Sequence, residues 1–195
     1  MKLLVLWLML ALATTAATAQ QLYPAPDTLV TEDAKGNIIG EVKWGYKNMN
    51  GEWVINPVFD HADKFHEGMA SVGLLQDRKV WKYGFINETG QLVVPLMYDA
   101  VGPFSEGLAY AAILNIVWED RPAGSEYNKI GYIDKANKWT ITLPEDLTKP
   151  SAKCYYKGEP FLSGMAKMYG SLPAQCPSLQ AIIVSKDGNV MMMKE

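Results

Sequence analysis

The sequence predicts an all-β protein, in which an array of antiparallel β-hairpins from about three to four repeats forms a twisted open sheet or a barrel-like β-repeat domain. The first observation behind this prediction is a motif that occurs twice, with its central glycines, Gly45 and Gly84, 39 residues apart (84 minus 45). The second is a set of five short turn motifs that separate runs of β-forming residues. Self-similarity at a period of about 40 residues indicates an array of small, similar units.

Each copy of the motif opens with lysine, an aromatic residue and glycine, and later carries proline, an aromatic–aspartate pair and a glutamate–glycine pair. The prolines are expected to end a strand, because proline has no N–H to donate to a β-ladder. The glycines allow a bend or a close approach of neighbouring strands. The matching positions are Lys43 and Lys82, Gly45 and Gly84, Pro57 and Pro95, Asp60 and Asp99, Glu67 and Glu106, and Gly68 and Gly107.

The five turn motifs share one chemical form, an Asp, Asn or Ser that is followed three residues later by Gly or Asn. The first side chain can accept hydrogen bonds from the backbone ahead of it, and the last residue tolerates a positive φ angle. β-Forming residues around each motif make it a predicted hairpin turn. The motifs occupy residues 33–36, 48–51, 87–90, 134–137 and 185–188.

The first 19 residues are typical of a secretory signal peptide, with a positive start and an apolar core. The small residues Ala17 and Ala19 predict cleavage near Ala19-Gln20. The alternative, a transmembrane anchor, would need a longer apolar stretch. We therefore expect a periplasmic or secreted protein that is not inserted in the membrane after cleavage.

The remaining residues, 20–195, are enough for one β-repeat domain with a hydrophobic core. The formal net charge is −3 and there is no run of basic residues, which argues against nucleic acid as a partner. No cofactor-binding motif occurs, so we predict no cofactor. The repeats are predicted at about 43–81, 82–128 and 129–180, with a partial copy at 181–195.

The Trp44-Gly45 pair and the residues that recur with it resemble the WG-repeat family. The resemblance covers residues 43–70 and 82–110 well, is partial over 129–166, and is weak at 181–190. It implies a bacterial, β-rich repeat protein of a kind that is often exported. It implies no catalytic residues.

The recurring carboxylates are predicted to be architectural, because an active site usually occurs once in a chain. Asp60 and Asp99 are interpreted as turn or capping groups, and Glu67 and Glu106 as partners of a local backbone amide.

The two histidines do not recur between the copies. Together with neighbouring acidic residues, His61 and His66 are weak candidates for metal ligands. They align with Ala100 and Ser105 in the second copy, which favours ordinary exposed positions and no metal site.

Cys154 and Cys176 are the only cysteines. In an oxidising compartment we expect them to form a disulfide bond, which would contribute about 3 kcal/mol by restricting the unfolded chain. The alternative is a cysteine nucleophile, which would need a nearby histidine.

Candidate binding residues lie where the copies differ, in the segments before the second and third central glycines. Each segment carries Trp, Arg and acidic residues, a composition typical of protein-binding hot spots. The alternative is that the tryptophans are ordinary strand residues beside solvated hairpin turns. The candidates are Arg78 and Trp81 in the shorter segment and Trp118, Glu119, Asp120 and Arg121 in the longer one.

Three classes of function remain open. We favour a non-catalytic binding protein whose partner is another protein in the bacterial envelope. A specific version of this hypothesis is an inhibitor or immunity protein for a toxin enzyme. The second class is a cell-wall hydrolase that uses a pair of carboxylates or a reduced Cys154. The third is a structural component of the envelope. The carboxylate pairs available to a hydrolase are Asp60 with Glu67, and Glu119 with Asp120.

Overall fold

The computed structural model describes residues 21–32, 35–77, 80–114, 128–144, 156–170 and 181–192. All regular structure in these ranges is β-strand, which confirms the predicted all-β class. The strands are β1 (Tyr23–Glu32), β2 (Ile38–Lys47), β3 (Trp53–Phe59), β4 (His61–Ala62), β5 (Met69–Gln76), β6 (Val80–Asn87), β7 (Leu92–Tyr98), β8 (Ala100–Val101), β9 (Leu108–Ile113), β10 (Lys129–Asp134), β11 (Trp139–Thr142), β12 (Tyr156–Gly158), β13 (Met165–Gly170), β14 (Ile182–Ser185) and β15 (Val190–Met192).

The predicted array of antiparallel hairpins is confirmed, and these strands divide among four separate sheets. The first sheet has the order β1-β2-β3, and the others have the orders β4-β5-β6-β7, β8-β9-β10-β11 and β12-β13-β14-β15. None of the sheets formed by the described residues closes into a barrel. The chain passes from the first sheet to the second, and from the second to the third, at a single aspartate, because β3 ends just before Asp60 and β7 just before Asp99.

The turn chemistry predicted from the sequence is present in the described turns. Asn48 Oδ1 accepts hydrogen bonds from the Asn50 and Glu52 N–H groups, both at 3.0 Å, and Gly51 has a φ of 81°. The same arrangement recurs at the turns that begin with Asn87 and Asp134. Residues 33 and 34 of the first motif lie outside the described ranges.

The central glycine of each repeat lies directly against the backbone of the next strand. A Cβ atom added at Gly45 would lie 2.7 Å from Pro57 N, and one added at Gly84 would lie 2.8 Å from the Pro95 carbonyl oxygen. The register shifts here, because extra residues of β3 and β7 bulge over the glycine. Pro57 and Pro95 therefore lie within their strands, at the bulge, and the expectation that they end a strand is wrong.

The hydrophobic core consists of three clusters, each between two consecutive sheets. At each of these interfaces, the aromatic residue after the central glycine packs on a phenylalanine that lies between two strands of the following sheet. Edge-on or tilted ring packing of this kind adds to the stabilisation from burial. The pairs are Tyr46 with Phe65 (4.8 Å between ring centroids), Phe85 with Phe104 (4.8 Å) and Tyr132 with Phe161 (4.7 Å).

The first sheet differs from the other three because no short strand from the described residues covers its outer strand, β1. Pro26 holds the register position of Gly73, which pairs with the short covering strand β4, and Pro24 holds that of Ser71, whose carbonyl group accepts from the Asp63 N–H. Proline has no N–H, so neither position leaves a donor unpaired. The Thr28 N–H donates to Asp27 Oδ1 at 2.8 Å. This part of the β1 edge is therefore protected against pairing with another strand.

Within the described ranges, no helix has the length and apolar character needed to cross a membrane.

Candidate functional site

A lysine–aspartate ion pair marks the point at which each of two hairpins leaves the core. Asp60 pairs with Lys43, and its Oδ2 accepts a hydrogen bond from the Leu75 N–H at 2.8 Å. Asp99 pairs with Lys82 at 2.8 Å and accepts from the Leu114 N–H, also at 2.8 Å. Burial raises the pKa of Asp60, but the hydrogen bonds from Lys43 and Leu75 outweigh it, so the pKa is lowered. Both recurring aspartates thus hold the backbone in place.

The recurring glutamates connect successive repeats. Glu67 Oε2 accepts from the Gly107 N–H at 3.0 Å, and Glu106 Oε2 accepts from the Gly164 N–H at 3.1 Å. The prediction of a backbone amide as partner is confirmed, but the amide belongs to the next repeat and is not local. A lysine from a turn of the next sheet adds to each contact: Lys135 lies 3.5 Å from Glu67, and Lys186 lies 3.0 Å from Glu106.

The hydrogen bond from Lys186 is the main reason why the pKa of Glu106 is lowered.

The face of β6 that forms the core at its base becomes exposed towards the hairpin end. Side chains two residues apart share a face of a strand, so Phe85, Tyr83 and Trp81 lie in one row. Phe85 is fully buried, Tyr83 is half-buried, and Trp81 is 38% exposed. The hairpin thus extends past the sheet that packs on its base and carries an aromatic side chain into solvent.

His61, Tyr83 and Trp81, which we name the aromatic strip, lie side by side on the second sheet. The rings of Trp81 and Tyr83 are nearly parallel, with an interplanar angle of 15° and centroids 5.9 Å apart. The His61 ring meets Tyr83 edge-on at 5.7 Å. Gly73 makes this possible, since an added Cβ there would lie 2.8 Å from Tyr83 Cε1.

A carboxylate, Asp63, lies at the histidine end of the aromatic strip. Its Oδ2 lies 3.2 Å from His61 Nε2 and also accepts a hydrogen bond from the Ser71 hydroxyl. The hydrogen bond between them raises the pKa of His61, against the effect of burial, and lowers the pKa of Asp63. Burial raises the pKa of Tyr83, and the negative charge of Asp63 raises it further.

A second exposed apolar surface lies on the long hairpin of the first sheet. β3 pairs with β2 only from Trp44 onwards, so the rest of β1 and β2 forms a two-stranded ribbon. One face of this ribbon carries Val30 (67% exposed), Ile38 (78%) and Val42 (57%). Val42 is equivalent to Trp81, because Val42 lies three residues before Gly45 and Trp81 lies three residues before Gly84. Both hairpins therefore present apolar side chains on equivalent faces.

The third sheet has the same strand order but lacks the aromatic strip. Its equivalent positions carry Asn128, Ile130 and Ala100 in place of Trp81, Tyr83 and His61. Ile130 is buried in the core, unlike the half-buried Tyr83. Among the first three sheets, only the second carries an aromatic side chain at both strand positions.

The structure describes three of the residues that the sequence nominated for binding or metal. Trp81 and His61 meet in the aromatic strip, whereas His66 lies in a tight turn, where its N–H and carbonyl group pair with Met69 at 2.8 and 3.0 Å. Residues 115–127 connect β9 and β10 as residues 77–79 connect β5 and β6. Five nominated residues and the two cysteines fall outside the described ranges: Arg78, Trp118, Glu119, Asp120, Arg121, and Cys154 and Cys176, whose disulfide bond stays a prediction.

No group of three or more His, Cys, Asp or Glu side chains in the described part of the chain is arranged to hold a metal ion. His61 instead has Asp63 as its partner.

Sequence reasoning missed Tyr83 and the exposed ribbon as parts of a surface. A signal for both was available, because Val42 and Trp44 alternate with Glu41 and Lys43, and Trp81 and Tyr83 are separated by a lysine. What the alternation could not show is how far the neighbouring sheet covers each hairpin.

The family model described as the WG containing repeat matches residues 44–74 and 83–113. The chain contains two WG repeats. Each matched segment begins at the aromatic residue before the central glycine and continues to the hairpin strand of the following sheet. A WG repeat therefore spans the second half of one sheet and the first half of the next, which ties consecutive sheets together covalently. A comparison with curated proteins finds no match to the chain.

Proposed function

We propose that this WG-repeat protein is an exported, non-catalytic binding protein that recognises another protein in the bacterial envelope through its hairpin ends. The observation that carries the proposal is the aromatic strip, because it is absent from the third sheet while the rest of the repeat persists. A feature that the scaffold requires would recur with the scaffold. A feature confined to one copy is free to serve recognition.

The composition of the surface supports a protein partner. Tryptophan and tyrosine are enriched among the residues that contribute most to protein–protein affinity. Trp81 and the apolar face of the ribbon are exposed although water disfavours exposed apolar surface, and such patches commonly mark interaction sites. A two-stranded ribbon without a sheet behind it is also marginally stable alone and would gain from a partner that covers it.

The non-catalytic part of the proposal is supported by the engagement of the recurring carboxylates. Asp60 accepts hydrogen bonds from Lys43 and Leu75, and Glu67 accepts from Gly107. A hydrolase built on this pair would have to release these contacts to carry a proton or bind substrate. The other pair, Glu119 with Asp120, lies outside the described residues.

The export part of the proposal depends on residues 1–19 and on the cysteines. N-terminal sequencing of protein from fractionated cells should find mature protein that begins at Gln20 outside the cytoplasm. Alkylation of the unfolded, unreduced protein should find no free thiol. An uncleaved cytoplasmic protein with two alkylated cysteines would rule out export.

Binding is tested by capture and reconstitution. Tagged wild-type protein, Trp81→Ala and the control Trp53→Ala are used to capture proteins from envelope extract. A captured candidate is then purified, and its dissociation constant is measured by calorimetry. We expect Trp81→Ala to weaken binding by about 30-fold, which corresponds to about 2 kcal/mol, and Trp53→Ala to have little effect.

Equal affinity of the wild type and Trp81→Ala for every purified partner would refute binding through the aromatic strip. If the partner is an enzyme and loses activity in the complex, the protein acts as an inhibitor or immunity protein. Hydrolysis of cell-wall material by the purified protein would refute the non-catalytic proposal.

A further inference from the structure

We propose that the aromatic strip receives a cationic side chain of the partner, an arginine guanidinium, stacked on Trp81 and Tyr83 and paired with Asp63. This inference rests on the proposed function, because it names the chemistry of the partner at the same site. Three features of the site carry it: an uncovered tryptophan, a carboxylate with one free oxygen, and the flat geometry of the paired rings.

The first feature is that two half-buried tryptophan rings in this protein, Trp53 and Trp139, are covered by cations. Lys47 Nζ lies 4.4 Å from the ring centroid of Trp53, and Lys129 Nζ lies 4.7 Å from that of Trp139. Within the described chain, no lysine or arginine lies over Trp81, although it is 38% exposed. No described residue therefore occupies this ring face, which can make the same cation–π contact with a group from outside.

The second feature is the orientation of Asp63. Both of its hydrogen bonds, with His61 and with the Ser71 hydroxyl, go to Oδ2. Oδ1 has no partner among the described residues, and the side chain is 56% exposed. The two donors hold the carboxylate in one orientation, so its free oxygen can accept a charge-assisted hydrogen bond without further loss of side-chain entropy.

A second carboxylate, Asp77, lies at the other end of the strip. It is exposed and directly follows Gln76, which pairs with Val80 next to Trp81. A carboxylate thus lies at each end of the strip, and the whole chain carries a formal net charge of −3. This distribution favours a cationic ligand and disfavours an anionic one.

The third feature distinguishes guanidinium from other cations. A guanidinium is planar, so one face can lie on an aromatic ring while its N–H groups donate in the plane to a carboxylate. An ammonium is a compact, strongly hydrated charge that cannot stack in this way. The nearly parallel rings of Trp81 and Tyr83 offer flat surfaces of the kind that a guanidinium prefers.

The test uses capped tripeptides, Gly-X-Gly, in which X is arginine, lysine, citrulline or glutamate. Citrulline has the shape of arginine without its charge and is the matched control. Binding to the full chain is followed by the NMR shift of the Trp81 indole N–H, assigned by its loss in Trp81→Ala. We expect the arginine peptide to bind in the millimolar range, lysine several-fold more weakly, citrulline about tenfold more weakly, and glutamate not at all.

Variants of the protein complete the test. Asp63→Asn should weaken arginine binding about tenfold, whereas Asp187→Asn, which removes an exposed carboxylate from a distant turn, should leave it unchanged. The backbone amide spectrum reports whether each variant remains folded. Tyr83→Leu should reduce the affinity for arginine if the ring takes part in stacking.

Equal binding of the arginine and citrulline peptides would overturn the inference, as would arginine binding that survives in both Trp81→Ala and Asp63→Asn. Absence of any shift of the indole at about 10 mM arginine peptide would also overturn it. A partner protein whose affinity depends on Trp81 but not on any of its own arginines would leave the proposed function intact and remove only this inference.

Discussion

The second and third sheets are two copies of one unit that agree at the base of the hairpin and differ at its end. In both, the central glycine, Gly84 or Gly131, lies against the backbone of the next strand, and the aromatic residue after it packs on a phenylalanine of the following sheet. Towards the hairpin end, Trp81, Tyr83 and His61 of the second sheet correspond to Asn128, Ile130 and Ala100 of the third.

This difference separates scaffold from candidate function. The residues that recur are those without which a neighbouring sheet could not pack, whereas the residues that differ lie towards the hairpin end, where the second sheet leaves Trp81 exposed and Tyr83 half-buried. Substitutions at the base should therefore affect stability in both sheets, and substitutions at the end should leave stability nearly unchanged.

The largest effect is expected from Gly84→Ala and Gly131→Ala. The added Cβ would lie 2.8 Å from the Pro95 oxygen in the first case and 2.9 Å from the Ile141 carbonyl carbon in the second, so the strands must separate. We expect each variant to lower the free energy of unfolding by roughly 3 kcal/mol, measured by urea denaturation. The control, Gly40→Ala, meets only Thr28 Cγ2 at 3.4 Å and should change it by less than about 0.5 kcal/mol.

If only one of Gly84→Ala and Gly131→Ala destabilised the protein, the two bases would not be equivalent and the comparison would fail.

A smaller effect is expected from the aspartates that hold the hairpins. Asp99→Ala should cost about 2 kcal/mol, because it leaves Lys82 and the Leu114 N–H without their partner in a site where both charged side chains are nearly buried. Asp60→Ala should cost about 1 kcal/mol, since Lys43 and Asp60 are more exposed. Thermal and urea unfolding of the two variants should preserve this order, and a reversed order would contradict it.

The contact between repeats made by Glu67 should contribute less. Glu67→Gln keeps an acceptor for the Gly107 N–H but removes the charge that attracts Lys135, and both side chains are exposed. We expect a loss of about 0.5 kcal/mol that shrinks as salt is added. Glu88→Gln, in an exposed turn, is the control and should change nothing. A salt-independent loss of several kcal/mol would mean that this contact does more than join two turns.

The smallest effect on stability is expected at the aromatic strip, where the pKa of His61 is the sharper measurement. Asp63→Asn removes the interaction that raises the pKa of His61 and leaves burial, which lowers it, so an NMR titration should show a fall. Because the folded-state pKa is raised, the stabilisation is fully present below the unfolded value of about 6.5 and is lost as pH rises through the folded pKa.

The stability difference between the wild type and Asp63→Asn should therefore be larger at about pH 5.5 than at about pH 8. A His61 pKa that does not change in Asp63→Asn would separate the histidine from the carboxylate and contradict the geometry of the strip.

The sequence predicted the turns, the class of fold and the repeat well because these depend on local chemistry. A side chain such as Asn48 accepts hydrogen bonds from residues next to it in the chain, and a positive φ at Gly51 is a property of one residue. The sequence also predicted Trp81 as a binding residue, because a tryptophan beside a hairpin turn indicates a binding surface from residue type alone. The sequence did not predict that Pro57 lies within its strand. The bulge that accommodates this proline forms only when β3 pairs with β2 opposite Gly45.

The sequence alone thus determined that this protein is an all-β WG-repeat array and that its recurring aspartates and glutamates serve the scaffold. These conclusions follow from short-range hydrogen bonding and from comparing the copies. The tertiary structure decided that the strands form four sheets, that Glu67 reaches the next repeat, and that Tyr83 and His61 join Trp81 in one strip. Those outcomes depend on how much of one sheet is covered by the next. The spacing of residues along the chain does not determine this packing between sheets.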